Sequence, residues 1–461
     1  MLIFLTYVGL LAWIGVRDAR RAGVYSDFVV AGGRQGGWMV WATLMATMVG
    51  ASATAGVAGR AGSIGWAAFW WLGIGATGLL AQGALLARKI HGFGARTLPE
   101  VAGMVVGPWG RRSVGLLIAA TWVGVVVAQL IAVGQFLGEA GASGLFGGWG
   151  AGVSPQAWGA LAGGIVVLYT AAGGQLSVVR TDAVQWAVLC AGLAGAAVWV
   201  WAANRGGAEV VGAARTAVPG LLNAQFGARE LIAMALPVWG AFFLGPDLVS
   251  RNFVARDGTT AARAAVWGAV ALVGVSVVVT WLGIHAGAVL GETGTGNPLF
   301  GLAFARTSGW MRVVGLLLGL GLLSALLSSA DTCLMNAAAI LCQDMLGIRR
   351  VGAVRVAVVA LGTAAIGLTQ GGKGIIEMLL AAYAVYTPGV AMPLAVAIWA
   401  HGRRRTNLWL WGTAVVAGGG CGLAAALGWG PAWLSAAGMG LSLAFAVGSL
   451  RKGGKRDRPE Y

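Results

Sequence analysis

The sequence predicts an all-α polytopic membrane protein of about thirteen transmembrane helices. Three observations carry this: apolar residues make up 58% of the 461-residue chain, charged residues only 10%, and the mean hydropathy is +0.81. A soluble domain carries about 25% charge, so this chain could not cover its own surface in water. The 79 glycines follow no collagen period and lie inside apolar runs, where membrane helices tolerate them.

A bilayer core of ~30 Å takes about 20 apolar residues per helix. That ruler places spans at 2–16, 36–59, 66–87, 113–137, 157–172, 183–203, 231–250, 264–290, 311–342, 354–370, 375–400, 407–427 and 433–450. The first is short enough for a signal peptide. It lacks a basic leader and a small-residue cleavage site and is followed by Arg17, Arg20 and Arg21, so it reads as a retained helix. The net charge of +16 sits in short clusters between spans, as topology requires, and implies no nucleic-acid partner. With the N-terminus outside, only Arg60, Arg205, Arg215, Arg229, Arg306, Arg312 and Lys373 of the 31 Lys and Arg face outward. An odd helix count then leaves the C-terminus inside. The expectation is a multi-pass protein of the bacterial inner membrane, N-out and C-in.

The four cysteines, Cys190, Cys333, Cys342 and Cys421, lie in apolar stretches without metal-ligand spacing and read as packing residues. No P-loop is present, so ATP-driven transport is unsupported and an ion gradient is the economical energy source. Two spans are interrupted. The second holds Gly50-Ala-Ser-Ala-Thr-Ala-Gly56, and the seventh holds Pro237, Gly240, Gly245 and Pro246. They lie five spans apart, and paired broken helices in matching places point to a midplane site in an inverted-repeat transporter.

Several segments carry a resemblance. Tyr169-Thr-Ala-Ala-Gly173-Gly174, running on to Thr181-Asp182-Ala-Val-Gln185, is the most specific. Ser324-Ala325-Leu-Leu-Ser328-Ser329-Ala-Asp331-Thr332, followed by Asp344, is the second. Asp27 to Arg34, Thr97-Leu-Pro-Glu100 and Asp247-Leu-Val-Ser-Arg251 match more weakly. Together they resemble the sodium/solute symporter family, whose members carry proline, pantothenate, sugars, sialic acid, choline and monocarboxylates. The resemblance implies a leucine-transporter-type 5+5 inverted repeat with one N-terminal and two C-terminal extra helices. One transmembrane domain then covers residues 1–461: an extra helix in 1–35, repeats in 36–203 and 231–400, and terminal helices in 407–450.

Ala325, Ser328 and Ser329 are spaced i, i+3, i+4 and share one helix face. They offer two hydroxyls and a carbonyl to a hard cation. The alternative is that both serines bond back to the carbonyl four residues earlier. The resemblance favours a sodium site there and adds the carbonyls of Ala46 and Val49. Asp182 and Asp331 are acids in apolar surroundings, a functional signal by default. In some family members the position of Asp182 joins those of Ser328, Asp331 and Thr332 in a second sodium site; alternatively, Asp182 caps the span beginning at Ala183. Asp247 and Arg251 are spaced as a helix-end ion pair or gate element.

The substrate pocket is expected between the breaks, from Ser52, Ala53, Thr54, Gln129, Trp239, Phe242, Phe243, Tyr383 and Tyr386. Aromatic faces with a few hydroxyls and amides suit a small organic solute, and a quaternary ammonium is one such solute. Arg60, His285 and Glu377 read as solvated outer residues, and His91 and His401 as loop residues. No enzyme constellation appears. The expected function is a monomeric, sodium-coupled importer of a small organic solute in the lipid bilayer. The alternatives are a proton-coupled symporter and a non-transporting sensor or channel on the same scaffold. A reporter fused after Tyr461 should behave as cytoplasmic, and one in the 140–155 loop as external; the reverse pattern would show the helix count to be wrong by one.

Overall fold

A bilayer offers no water to exposed N–H and C=O groups, so apolar spans fold as helices that satisfy their own backbone. The computed structural model describes residues 25–145, 150, 152–205, 220–290, 296–371, 374–431 and 433–452, with a few positions of the first predicted span. That span, 2–16, otherwise lies outside the described residues, although the hydroxyls of Tyr7 and Ser324 meet at 2.5 Å. Among the described residues, nine helices are long and apolar enough to cross a membrane, and Trp433–Gly448 is a shorter apolar one.

The chain begins with α1 (Tyr25–Val30), α2 (Gly37–Met48), α3 (Val57–Ile64), α4 (Trp70–Ala81), α5 (Ala87–Gly92) and α6 (Leu98–Val106). Two long helices follow, α7 (Pro108–Ala142) and α8 (Pro155–Arg205). The second half comprises α9 (Ala228–Leu244), α10 (Pro246–Val254), α11 (Gly258–His285), α12 (Pro298–Phe304), α13 (Trp310–Ile340), α14 (Val351–Leu368), α15 (Ile375–Tyr386) and α16 (Met392–Ala400). The last helices are α17 (Leu408–Ala426) and α18 (Trp433–Gly448). A two-stranded antiparallel ribbon, β1 (Arg404–Thr406) with β2 (Leu450–Lys452), joins the start of α17 to the end of α18 and pairs Arg404 with Lys452 and Arg405 with Arg451. The predicted spans from 36–59 onward have helical counterparts. Two of them, 157–172 and 183–203, lie in α8, whose 51 residues are two helices meeting at a non-helical kink at Gly174.

The centre is α13, buried on every side from Leu318 to Ile340. A helix apolar all round belongs inside a larger bundle, and α13 packs on α8 and α7. At its end, Asp344 accepts from Arg111 Nε (2.7 Å) and from the hydroxyl of Thr97 (2.7 Å). Thr97 is the N-cap of α6, accepting from Glu100 N (3.2 Å), and Glu100 pairs with Arg349 (2.9 Å). The Thr97–Glu100 and Asp344 motifs, distant in sequence, therefore form one clasp.

Gly174 explains the glycines of the most specific motif. It holds φ 64°, ψ −172°, a region essentially reserved for glycine. A Cβ there would lie 2.5 Å from Phe28, which is fully buried. Gly174→Ala should destabilise the protein by about 1–3 kcal/mol from the backbone alone. Gly164→Ala, where a Cβ would meet open space, should be near neutral. Melting temperatures of the two purified variants check this; equal values would remove the strain argument.

Candidate functional site

The first predicted break is real. Val49 leaves the helix at φ −94°, ψ 61°, and the backbone groups freed there are taken up by side chains from elsewhere. Ser329 donates to the carbonyl of Thr47 (2.9 Å), and Ala51 N donates to Gln129 Oε1 (2.8 Å). Gly50 lets these partners approach, since a Cβ would sit 2.3 Å from the Ser329 hydroxyl. Beyond the break, Asn297 donates to the carbonyl of Ala55 (2.7 Å). The second break lies at Gly245–Pro246, where α9 ends and α10 begins. Tyr386 donates to the carbonyl of Leu244, and Thr387 to that of Pro237 (2.7 Å).

Between the breaks lies a cavity of about 30 Å³, lined by Ser52, Trp122, Gln129, Phe242, Asp247, Ser329 and Tyr383 among others. Four expected substrate residues, Ser52, Gln129, Phe242 and Tyr383, therefore face it. The expectation for Ala53, Thr54 and Trp239 is corrected. Ala53 is buried off the cavity, Thr54 bonds back to the carbonyl of Gly50 (2.8 Å), and Trp239 stacks on Phe243 with centroids 4.5 Å apart. Tyr386 is committed to a backbone carbonyl.

Of the expected sodium ligands, Ser328 and Ser329 are buried and bond across to other helices instead of back along α13. Ser328 donates to Asp182 Oδ1, while Ser329 meets Thr47, between the Ala46 and Val49 positions. Ala325 lies one turn before them on the same buried helix.

Behind this face lies a buried ion pair. Arg251 is fully buried, and its Nη2 donates to Asp182 (3.2 Å), Thr47 (2.7 Å) and Thr332 (2.8 Å). Thr43 and Ser328 also donate to Asp182. Three expectations change. Asp182 lies inside α8 and is no N-cap. Arg251 pairs with Asp182, reached by its long side chain, and not with Asp247. A second sodium between Asp182 and Thr332 would stand against a guanidinium already bonded to both. Asp331 instead accepts from the Tyr169 hydroxyl (2.9 Å), so the tyrosine of the most specific motif ties α8 to α13.

His285, expected in solvent, is half-buried beside Trp281 with centroids 4.9 Å apart. Trp122, Thr43 and Thr47 were missed. Trp122 precedes Gln129 by seven residues, and Thr43 and Thr47 are spaced i, i+4, so helical periodicity offered a signal for each.

No protein-family model matches the chain, and no curated protein matches it in sequence. Solved structures do match it in shape. A Na+-coupled sialic acid symporter in a substrate-bound outward-open state superposes with TM-score 0.75 at 15% identity, over 98% of each chain. Mhp1, a nucleobase-cation-symport-1 family transporter, gives TM-score 0.61 at 16% identity, over 93% of each chain. MhsT in complex with L-phenylalanine gives TM-score 0.58 at 16% identity, covering 89% of this chain and 96% of that one.

Removing one partner of a buried ion pair leaves the other uncompensated, at a cost of about 3–5 kcal/mol. Arg251→Met should therefore lower the melting temperature strongly. The double variant Arg251→Met/Asp182→Asn should recover part of the loss, because the two sites are coupled. Additive losses would show that the pair is not the coupled unit. The multi-pass chain has the leucine-transporter-type fold.

Proposed function

We propose that the chain is a sodium-coupled secondary symporter that imports a small organic solute across the bacterial inner membrane, acting as a monomer. The observation that carries this reading is the pair of broken helices, α2–α3 and α9–α10, sealed by side chains of other helices around one cavity. Broken helices at a shared midplane site are the device by which inverted-repeat transporters hold ion and solute together. The fold of the sialic acid symporter, Mhp1 and MhsT supports it by analogy.

In this reading the halves 36–203 and 231–400 rock about the cavity, with the N-terminus outside and the C-terminus cytoplasmic. Sodium takes the carbonyls of Ala46, Val49 and Ala325 and the hydroxyls of Ser328 and Ser329. Neutral oxygens let a hard cation bind and leave without a permanent ion pair. Arg251 already supplies the positive charge between Asp182 and Thr332, so one sodium per cycle is the stoichiometry this arrangement favours.

Sodium should stabilise the detergent-purified protein more than potassium at equal ionic strength, by about 2.7 kcal/mol at a hundred times Kd. Ser328→Ala/Ser329→Ala should abolish that difference while the protein still folds. Uptake into proteoliposomes, once a solute is in hand, should collapse with the sodium gradient. Equal melting in both salts, or uptake indifferent to sodium, would sink the sodium reading.

A further inference from the structure

The central cavity carries a carboxylate that the protein itself does not neutralise. Asp247 stands in the first turn of α10, directly after the Gly245–Pro246 break, and lines the cavity with Trp122, Phe242 and Tyr383. Its neighbour one turn on, Arg251, spends its guanidinium on Asp182, Thr47 and Thr332. Among the described residues, no Lys, Arg or His side chain comes within ion-pair distance of Asp247. The other central acids are engaged: Asp182 with Arg251, and Asp331 with the Tyr169 hydroxyl. The first turn of α10 eases the charge on Asp247 through its free N–H groups, but a helix end supplies only a fraction of a unit charge. An intramembrane acid without a partner is costly and marks a functional position.

What surrounds Asp247 indicates what would complete it. Trp122 and Tyr383 place their rings 6.3 Å apart, tilted by 42°, and Phe242 lines the cavity from α9, the other half of the broken helix that carries Asp247. Aromatic faces attract a cation and offer nothing to an anion. At about 30 Å³ the cavity has room for a small group the size of a primary ammonium. A bulkier head has to push the Phe242 and Tyr383 rings apart.

We propose that Asp247 is the counter-charge of the transported solute, which carries an ammonium or quaternary ammonium group held between this carboxylate and the faces of Trp122, Phe242 and Tyr383. The assignment rests on the symporter reading, and deepens it by naming the substrate class. Solutes bearing only carboxylate or hydroxyl groups lack the charge that Asp247 needs.

The test is ligand-induced thermal stabilisation of the purified full chain in sodium buffer. The probes are choline, glycine betaine and L-proline on one side, and lactate and glucose on the other. At least one ammonium-bearing probe should raise the melting temperature, and lactate and glucose should not. Asp247→Asn keeps the shape and removes a half-buried charge that has no ion-pair partner, so it should fold at least as well. It should weaken the ammonium-bearing probe by about thirtyfold or more yet keep the stabilisation by sodium alone. Asp247→Ser should behave alike and guards against a defect particular to Asn.

The proposal is overturned if no ammonium-bearing probe binds, or if lactate or glucose binds instead. It is overturned equally if Asp247→Asn binds the ammonium probe as the wild type does. Loss of sodium stabilisation in Asp247→Asn would make the carboxylate an ion ligand and also overturn it. Binding that needs Asp247, with uptake indifferent to a sodium gradient, would refute the sodium-coupled reading while leaving the recognition site standing.

Discussion

Inside a bilayer every backbone N–H and C=O needs a partner within the protein, and the two helix breaks are where this constraint bites. The groups freed at Val49–Ala51 and Leu244–Pro246 are met by Gln129 from α7, Ser329 from α13 and Tyr386 at the end of α15. The partners come from elements remote in sequence, so the breaks and the packing around them hold each other in place. The cavity follows from this arrangement. It exists because two helices stop there and other helices supply the missing hydrogen bonds.

The same economy governs charge. Arg251 and Asp182 are both removed from solvent, an arrangement whose desolvation cost is offset only when the surrounding donors and acceptors are well placed. Thr43, Thr47, Ser328 and Thr332 supply them. The cluster joins α2, α8, α10 and α13, so both broken helices are bonded to the central pair α8 and α13. Through Arg251, α10 is bonded to Asp182, and through Ser328 to the Ala325–Ser329 face of α13.

Much of the fold was legible because its signals are local. Apolar runs marked the spans, and clustered small residues and prolines marked both breaks. Ser328 and Ser329 stood out through their i, i+3, i+4 spacing with Ala325. Partner choice was not legible. Asp247 and Arg251 are four apart and read as a pair, yet the guanidinium finds Asp182, 69 positions away, because only the folded bundle brings α8 alongside α10. Thr54 and Trp239 failed as cavity residues for a related reason: facing the break is a matter of rotation about a helix axis, and nothing in a run of small residues fixes that angle. Asp182, read as a cap, lies inside the second part of α8, because that helix starts just after the Gly174 kink, earlier than the ruler for span length placed it.

The ribbon of β1 and β2 stacks Arg404 opposite Lys452 and Arg405 opposite Arg451. The pairing runs through the backbone, between the start of α17 and the end of α18. These two helices also pack along their length, so they form a closed hairpin whose ends cannot separate without breaking the ribbon.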